Sequence, residues 1–165
     1  MKRQRLTRLL LVLAFLLLPA SLPAVQEGQQ LLPFKGTDLE GNVLDLRQSI
    51  GTKPVLLVFW ASWCPSCKEE VPKINRLAEK YGGRGMEFIA INVGYNDSVE
   101  RARAFMEKTR MRYPAYFDGS GKVTQQYQLL GVPTILIADK HGVVRFRNFM
   151  TPDITETNFS QLMAD

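Results

Sequence analysis

Residues 54 to 61, PVLLVFWA, constrain the fold more than any other stretch, because they run straight into SWCPSC. A near-continuous apolar run of this length fits a strand buried on both faces. Pro65 then suits the first position of a helix, where its fixed φ is right and its missing N–H is not needed. Val71, Ile74, Leu77, Ala78 and Tyr81 recur at helical spacing and predict the buried stripe of that helix. Gly82-Gly83 predicts its end, where a left-handed residue is cheap. Pro72 lies inside it and is expected to kink it. A buried strand therefore hands over to a helix, with Cys64 at the junction.

The remaining pattern places this unit in a larger sheet. Residues 25 to 33 are polar and read as loose. TDLEGNVLDL (37 to 46) alternates around Glu40-Gly41-Asn42 and predicts a hairpin. MEFIAINV (86 to 93) predicts the next strand. Asp97, with Glu100 three residues later, predicts a helix cap, and Val99, Ala102 and Met106 its inward face. YPAYF (113 to 117) predicts a short strand and Lys122 to Tyr127 a short helix. PTILIAD (133 to 139) and VVRFRNF (143 to 149) flank the turn KHG, and a last helix covers about 154 to 163. Strands alternating with helices, then a hairpin and a final helix, predict an α/β fold: a mixed central sheet with helices on both faces and an N-terminal hairpin.

The net charge of +5 suggests a basic protein until it is located. Lys2, Arg3, Arg5 and Arg8 precede an apolar run from Leu9 to Leu18, then Pro19, Ala20, Ser21 and Ala24. A basic start, a short apolar run and a small-residue exit predict a secretory signal over residues 1–24. Ten apolar residues are few for a membrane crossing, yet an uncleaved N-terminal anchor stays open beside cleavage. Without residues 1–24 the net charge is +1. That balance gives no support for nucleic-acid binding, which wants a basic stripe on the folded domain. The folded domain is expected over residues 30–163, acting as a monomer.

Cys64 and Cys67 are the two cysteines of the chain. A structural disulfide across three residues closes almost no loop and constrains the unfolded chain little. Redox chemistry fits better. A helix N-terminus favours an anion, and the thiolate is the reactive form of cysteine. Cys67 lies one turn on, on the same face. Cys64 is expected nearer the surface, attacking a partner's disulfide, with Cys67 more buried and resolving the mixed disulfide. Structural zinc needs four ligands, and His141 is a lone distant histidine, so no metal site is expected. Haem attachment wants C-x-x-C-H, and residue 68 is Lys. No cofactor is expected.

A second element is GVPT (131 to 134), which opens a late strand. A proline may open a strand in either isomer, and a cis bond there is a purposeful feature. VFWASWCPSCKEEVP, FIAINV and GVPTILIADKHGVV together resemble the thioredoxin fold. The early hairpin, the CKEE-P continuation and the signal segment are similar to the exported thioredoxin-like proteins of bacteria, the TlpA/ResA group, with the CcmG type of cytochrome c maturation protein close by. The resemblance covers about residues 30 to 163.

What it implies is a thiol-disulfide oxidoreductase. Cys64 is implied as the nucleophile and Cys67 as the resolving thiol. Pro133 is implied as the cis-proline facing them, with Val132 offering backbone hydrogen bonds to a partner's extended chain. Trp63, Pro65 and Ser66 would flank the contact surface; simple packing is the other reading of Trp63 and the expectation for Trp60. Val58 stands where ordinary thioredoxins carry a buried Asp, so that proton acceptor is absent. Glu70, on the Cys67 face of the helix, is the candidate replacement, although Glu69 and Glu70 also simply favour a helix's first turns.

Pro65-Ser66 holds no imidazole to stabilise the thiolate, and Glu70 opposes it. The expected direction is therefore reductive, in the bacterial periplasm or at the outer face of the membrane. Electrons would come from a membrane thiol reductase of the DsbD/CcdA type, and an apocytochrome c is one possible client. Two rivals stay open: a thiol peroxidase, although peroxiredoxins use T-x-x-C where this chain has Ala61-Ser62-Trp63-Cys64, and a non-catalytic thioredoxin-like binding or chaperone module.

Overall fold

The computed structural model describes residues 24–165. The signal expected over residues 1–24 lies outside the described residues except for Ala24. Among the described residues no helix is long and apolar enough to cross a membrane.

Strands β1 (Lys35–Thr37) and β2 (Val43–Asp45) form the expected hairpin, an antiparallel pair of their own. Strand β3 (Val55–Trp60) is buried along its whole length, as its apolar run requires. It lies at the centre of a five-stranded sheet with β4 (Glu87–Asn92), β5 (Ala115–Phe117), β6 (Thr134–Ala138) and β7 (Val144–Asn148). The order is β5-β4-β3-β6-β7, parallel from β3 to β5 and antiparallel across β6 and β7. The mixed sheet is thus as the sequence predicts.

Helix α1 (Pro65–Tyr81) joins β3 to β4, and α2 (Val99–Thr109) joins β4 to β5. Both are crossovers between adjacent parallel strands running the same way across the sheet, so the right-handed rule puts them on one face. Asn75 of α1 ties them together: its Nδ2 donates to the Arg110 carbonyl, and its Oδ1 accepts from the Arg112 N–H. Helix α4 (Glu156–Met163) joins that layer through Phe159, stacked on Tyr81 at 4.6 Å. Successive residues of a strand point to opposite faces. Trp60 meets Phe105 of α2, whereas Phe59 meets Tyr127, just past α3 (Lys122–Gln126). Helices therefore cover both faces.

Three local expectations are corrected. Residues 25–33 are not loose: Val25 and Leu31 are buried, and Gly28 and Leu31 donate to the Val144 and Gly142 carbonyls beside β7. Their polar residues face out while two apolar ones are drawn into the core. The left-handed residue after α1 is Gly85 (φ 97°), not Gly82 or Gly83, because a 3-10 turn over Gly82–Arg84 prolongs the helix. The cap of α2 is Ser98, whose side chain accepts from the Arg101 N–H, and not Asp97. Phe105, missing from the expected inward face, is buried there.

Candidate functional site

The buried β3 fixes where α1 begins. Cys64 is extended (φ −91°, ψ 110°) and is the N-cap of α1, with Pro65 at its first position. Its Sγ accepts a hydrogen bond from the Cys67 N–H at 3.1 Å. An otherwise unsatisfied helix N–H is thus aimed at the sulfur. Cys64 and Cys67 are joined in a disulfide, with Cα atoms 5.3 Å apart, so one helical turn brings the two sulfurs within bonding reach.

The GVPT element arrives from the other side. The Val132–Pro133 peptide is cis. The Val132 carbonyl oxygen lies 3.6 Å from Cys64 Sγ, bringing residues 68 apart in sequence together. The Val132–Pro133 segment and the cysteine pair therefore form one site at the carboxyl end of β3, where open α/β sheets place their ligands. Pro65 and Ser66 are exposed beside it.

Burial follows the expected order by a narrow margin. Cys64 is 5% exposed and Cys67 2%, so Cys64, the expected nucleophile, is the less buried of the two yet itself largely covered. A groove alongside Trp63 still reaches Cys64. Trp63 is both packed and exposed: its Nε1 donates to the Tyr95 carbonyl at 2.8 Å while 48% of its surface stays open. Trp60 is a packing residue, buried and stacked on Phe105 at 4.7 Å.

Glu70 is buried on α1, but its two oxygens are engaged elsewhere. One accepts from Lys73 Nζ at 2.7 Å and the other from the Thr151 N–H at 2.7 Å. Burial alone would raise its pKa; these bonds outweigh burial and hold the carboxyl below its usual range. A carboxylate so held is a poor proton acceptor but a persistent negative charge one turn beyond Cys67. The Lys73 and Thr151 contacts carry no sequence signal beyond the i,i+3 spacing of Glu70 and Lys73.

The sequence misses Asp97 altogether as a site residue. Its side chain is fully buried. One oxygen accepts from the Ser62 N–H at 2.7 Å and from Asn92 Nδ2 at 2.8 Å. The other accepts from Ser62 Oγ at 2.6 Å and from the Ser98 N–H at 2.9 Å. Ser62 lies two residues before Cys64, so Asp97 pins the loop that leads into Cys64. With Ser98 taking the cap of α2, the Asp97 carboxylate is left for these bonds, a use the sequence does not signal.

The profile of the AhpC/TSA family matches residues 28–147. The chain is 36% identical over 123 residues to the thiol-disulfide oxidoreductase ResA of Geobacillus kaustophilus, covering 74% of this chain and 68% of that one. It is 33% identical over 117 residues to ResA of Bacillus thuringiensis, covering 71% of this chain and 66% of the relative. The match thus spans about two thirds of these relatives' length. Among solved structures it is similar to a Chlorobium tepidum protein assigned as thiol:disulfide interchange protein DsbE. The TM-score is 0.69 at 27% identity, covering 78% of this chain and 89% of the other.

Proposed function

The chain belongs to the thioredoxin-like AhpC/TSA family, and on that premise we propose that it exchanges disulfides with other proteins through Cys64 and Cys67. The observation that carries this reading is the Cys64 sulfur, which caps α1, is bonded to Cys67 and faces the Val132 carbonyl.

The reduced protein reacts in two steps. The Cys64 thiolate, stabilised by the Cys67 N–H and the positive end of α1, attacks one sulfur of a partner's disulfide. A mixed disulfide forms, and the partner's other sulfur leaves as a thiolate and takes up a proton. Cys67 then loses its proton and attacks Cys64 Sγ; the intramolecular disulfide forms and the partner's second sulfur leaves as a thiolate. That second thiolate takes up the proton Cys67 gave up, so the partner gains two electrons and ends as two thiols. The half-buried Val132, next to the cis peptide and beside Cys64, supports strand-like pairing of its backbone with the partner's during these steps.

The direction is reductive. The two residues between the cysteines, Pro65 and Ser66, carry no imidazole of the kind that stabilises a reduced form and makes an oxidant. Glu70, held ionised, disfavours the thiolate instead. The basic and apolar pattern of residues 1–24 supports action outside the cytoplasm, in the periplasm or tethered to the membrane. A membrane thiol reductase of the DsbD/CcdA type would then re-reduce the pair. An apocytochrome c awaiting haem attachment fits the class of client.

The pre-reduced protein is expected to reduce insulin, with a potential well below the roughly −120 mV of strongly oxidising DsbA. Hydrogen peroxide should be consumed no faster than by a Cys64→Ser control, since Ala61 stands where a T-x-x-C peroxidase needs Thr. Fast peroxide turnover without insulin reduction would replace this reading with a peroxidase. Glu70 supplies a finer test. Glu70→Gln removes a charge near the thiols, so their titration should move to lower pH. The potential should rise by about 30 mV, a tenfold change in the exchange equilibrium. An unchanged potential would take Glu70 out of the mechanism.

A further inference from the structure

We propose that the groove beside Cys64 takes an acidic, extended segment of the partner protein, so that partners carrying carboxylates next to their reacting cysteine are preferred. This inference rests on the exchange function proposed above and names the class of partner.

The groove, of about 450 Å³, runs from Cys64 between the start of α1 and one face of α2. Arg101, Phe105 and Lys108 recur at helical spacing along α2 and line it from one side; Trp63 and Lys68 line it from the other. Phe105 and the Trp63 ring give it an apolar floor. Three of its lining residues are cations and none is a carboxylate. Without residues 1–24 the chain is almost neutral, so this is a local excess rather than a general basic character.

The three cations are not equivalent. Arg101 is partly neutralised: its Nε lies 3.5 Å from Asp97, and it donates to the Asn96 carbonyl at 2.7 Å. Lys68 and Lys108 are exposed, and among the described residues neither has a carboxylate within ion-pair distance. Lys68 directly follows Cys67 and Lys108 closes the far end on α2. A segment joined to Cys64 through a mixed disulfide would thus lay its neighbouring side chains between two unneutralised ammonium groups. Complementary charge there raises the rate of encounter and rejects basic partners. Surface lysines act mainly through long-range attraction, so the preference must fade with salt.

The test uses the full chain, pre-reduced, and three synthetic peptides. Each carries one cysteine in a mixed disulfide with 2-mercaptoethanol, flanked by Asp and Glu, by Ser, or by Lys. Reduction of 2-hydroxyethyl disulfide, small and uncharged, gives the reference rate for each protein, and peptide rates are divided by it. The acidic peptide should exceed the Lys peptide by about 10-fold at low salt, converging on it as ionic strength rises. Lys68→Glu/Lys108→Glu, two exposed changes, should reverse that order. Equal normalised rates, a preference that ignores salt, or a double variant that keeps the wild-type order would each overturn the assignment. Faster normalised reduction of glutathione disulfide than of the acidic peptide would also overturn it, since the groove would then suit a small acidic thiol rather than a protein segment. A wild-type protein that cannot reduce 2-hydroxyethyl disulfide would instead sink the exchange function itself.

Discussion

A Cys67→Ala variant is expected to collect its partners as stable mixed disulfides and to lose multiple-turnover reduction of insulin. Resolution of the mixed disulfide is intramolecular in the wild type, with the attacking and accepting residues one helical turn apart and their Cα atoms 5.3 Å from each other. Well-oriented reactions of this kind reach effective molarities of ~10⁵ M and more, far above any external thiol, so turnover should fall by about 10³-fold or more. The single-turnover attack by Cys64 survives. Non-reducing gels and mass spectrometry of the adducts read this directly, and Cys64→Ser should give no adducts. The pairing of roles matters here because the exposures of the two sulfurs, 5% and 2%, barely differ. What separates them is geometry: Cys64 sits outside the helix, accepts the Cys67 N–H and faces Val132. Adducts formed through Cys67 in the Cys64→Ser variant would reverse the assignment. No adducts in either variant would leave a binding module that does not exchange.

The parts of the molecule that chain-local physics decides are legible in the sequence. The apolar run of β3, the proline that opens α1 and the spacing of the cysteines each act over a few residues, and each appears where expected. GVPT is readable as a special turn, but its position against Cys64 depends on β6 pairing antiparallel with β3, which makes residues 68 apart neighbours. What stays hidden is set by partners distant in sequence. Glu70 looks like a free carboxylate beside the thiols until Thr151 reaches it from 81 residues away. Residues 25–33 look loose because their polarity is visible and the β7 backbone that pins them is not. The burial of Cys64 has the same origin: a residue at a helix start is ordinarily exposed, and here the Val132 carbonyl, 68 residues away in sequence, lies against its sulfur.

Asp97 shows the largest gap of this kind, and its removal has the second largest expected effect. Asp97→Ala takes the acceptor from the Ser62 N–H, the Ser62 hydroxyl, the Asn92 amide and the Ser98 N–H at once. Stranding buried donors costs about 1–3 kcal/mol each where water cannot reach them, so a loss of about 3 kcal/mol is expected. For a domain of this size that lowers Tm by about 10 °C. The pH dependence has a definite sign. Burial alone would raise the Asp97 pKa, but the hydrogen bonds from Ser62, Asn92 and Ser98 outweigh it and hold the carboxyl below its usual range. The unfolded chain, with a value near ~3.9, therefore takes up protons first as the pH falls. The stabilisation from ionised Asp97 is complete well above that value and is lost as the pH drops through the folded one. Wild type minus Asp97→Asn, measured by denaturant titration, isolates this term from other acids with lowered values, such as Glu70, and the difference should shrink toward pH 2. Catalysis separates positioning from mere stability. With Ser62 unpinned two residues before Cys64, kcat/KM for disulfide reduction should fall by about 10-fold in Asp97→Ala, assayed well below its Tm. Asp97→Asn keeps one oxygen for the Ser62 N–H and should recover much of that loss. If both variants melt early yet reduce disulfides at the wild-type rate, Asp97 only holds the fold together and has no part in presenting the nucleophile.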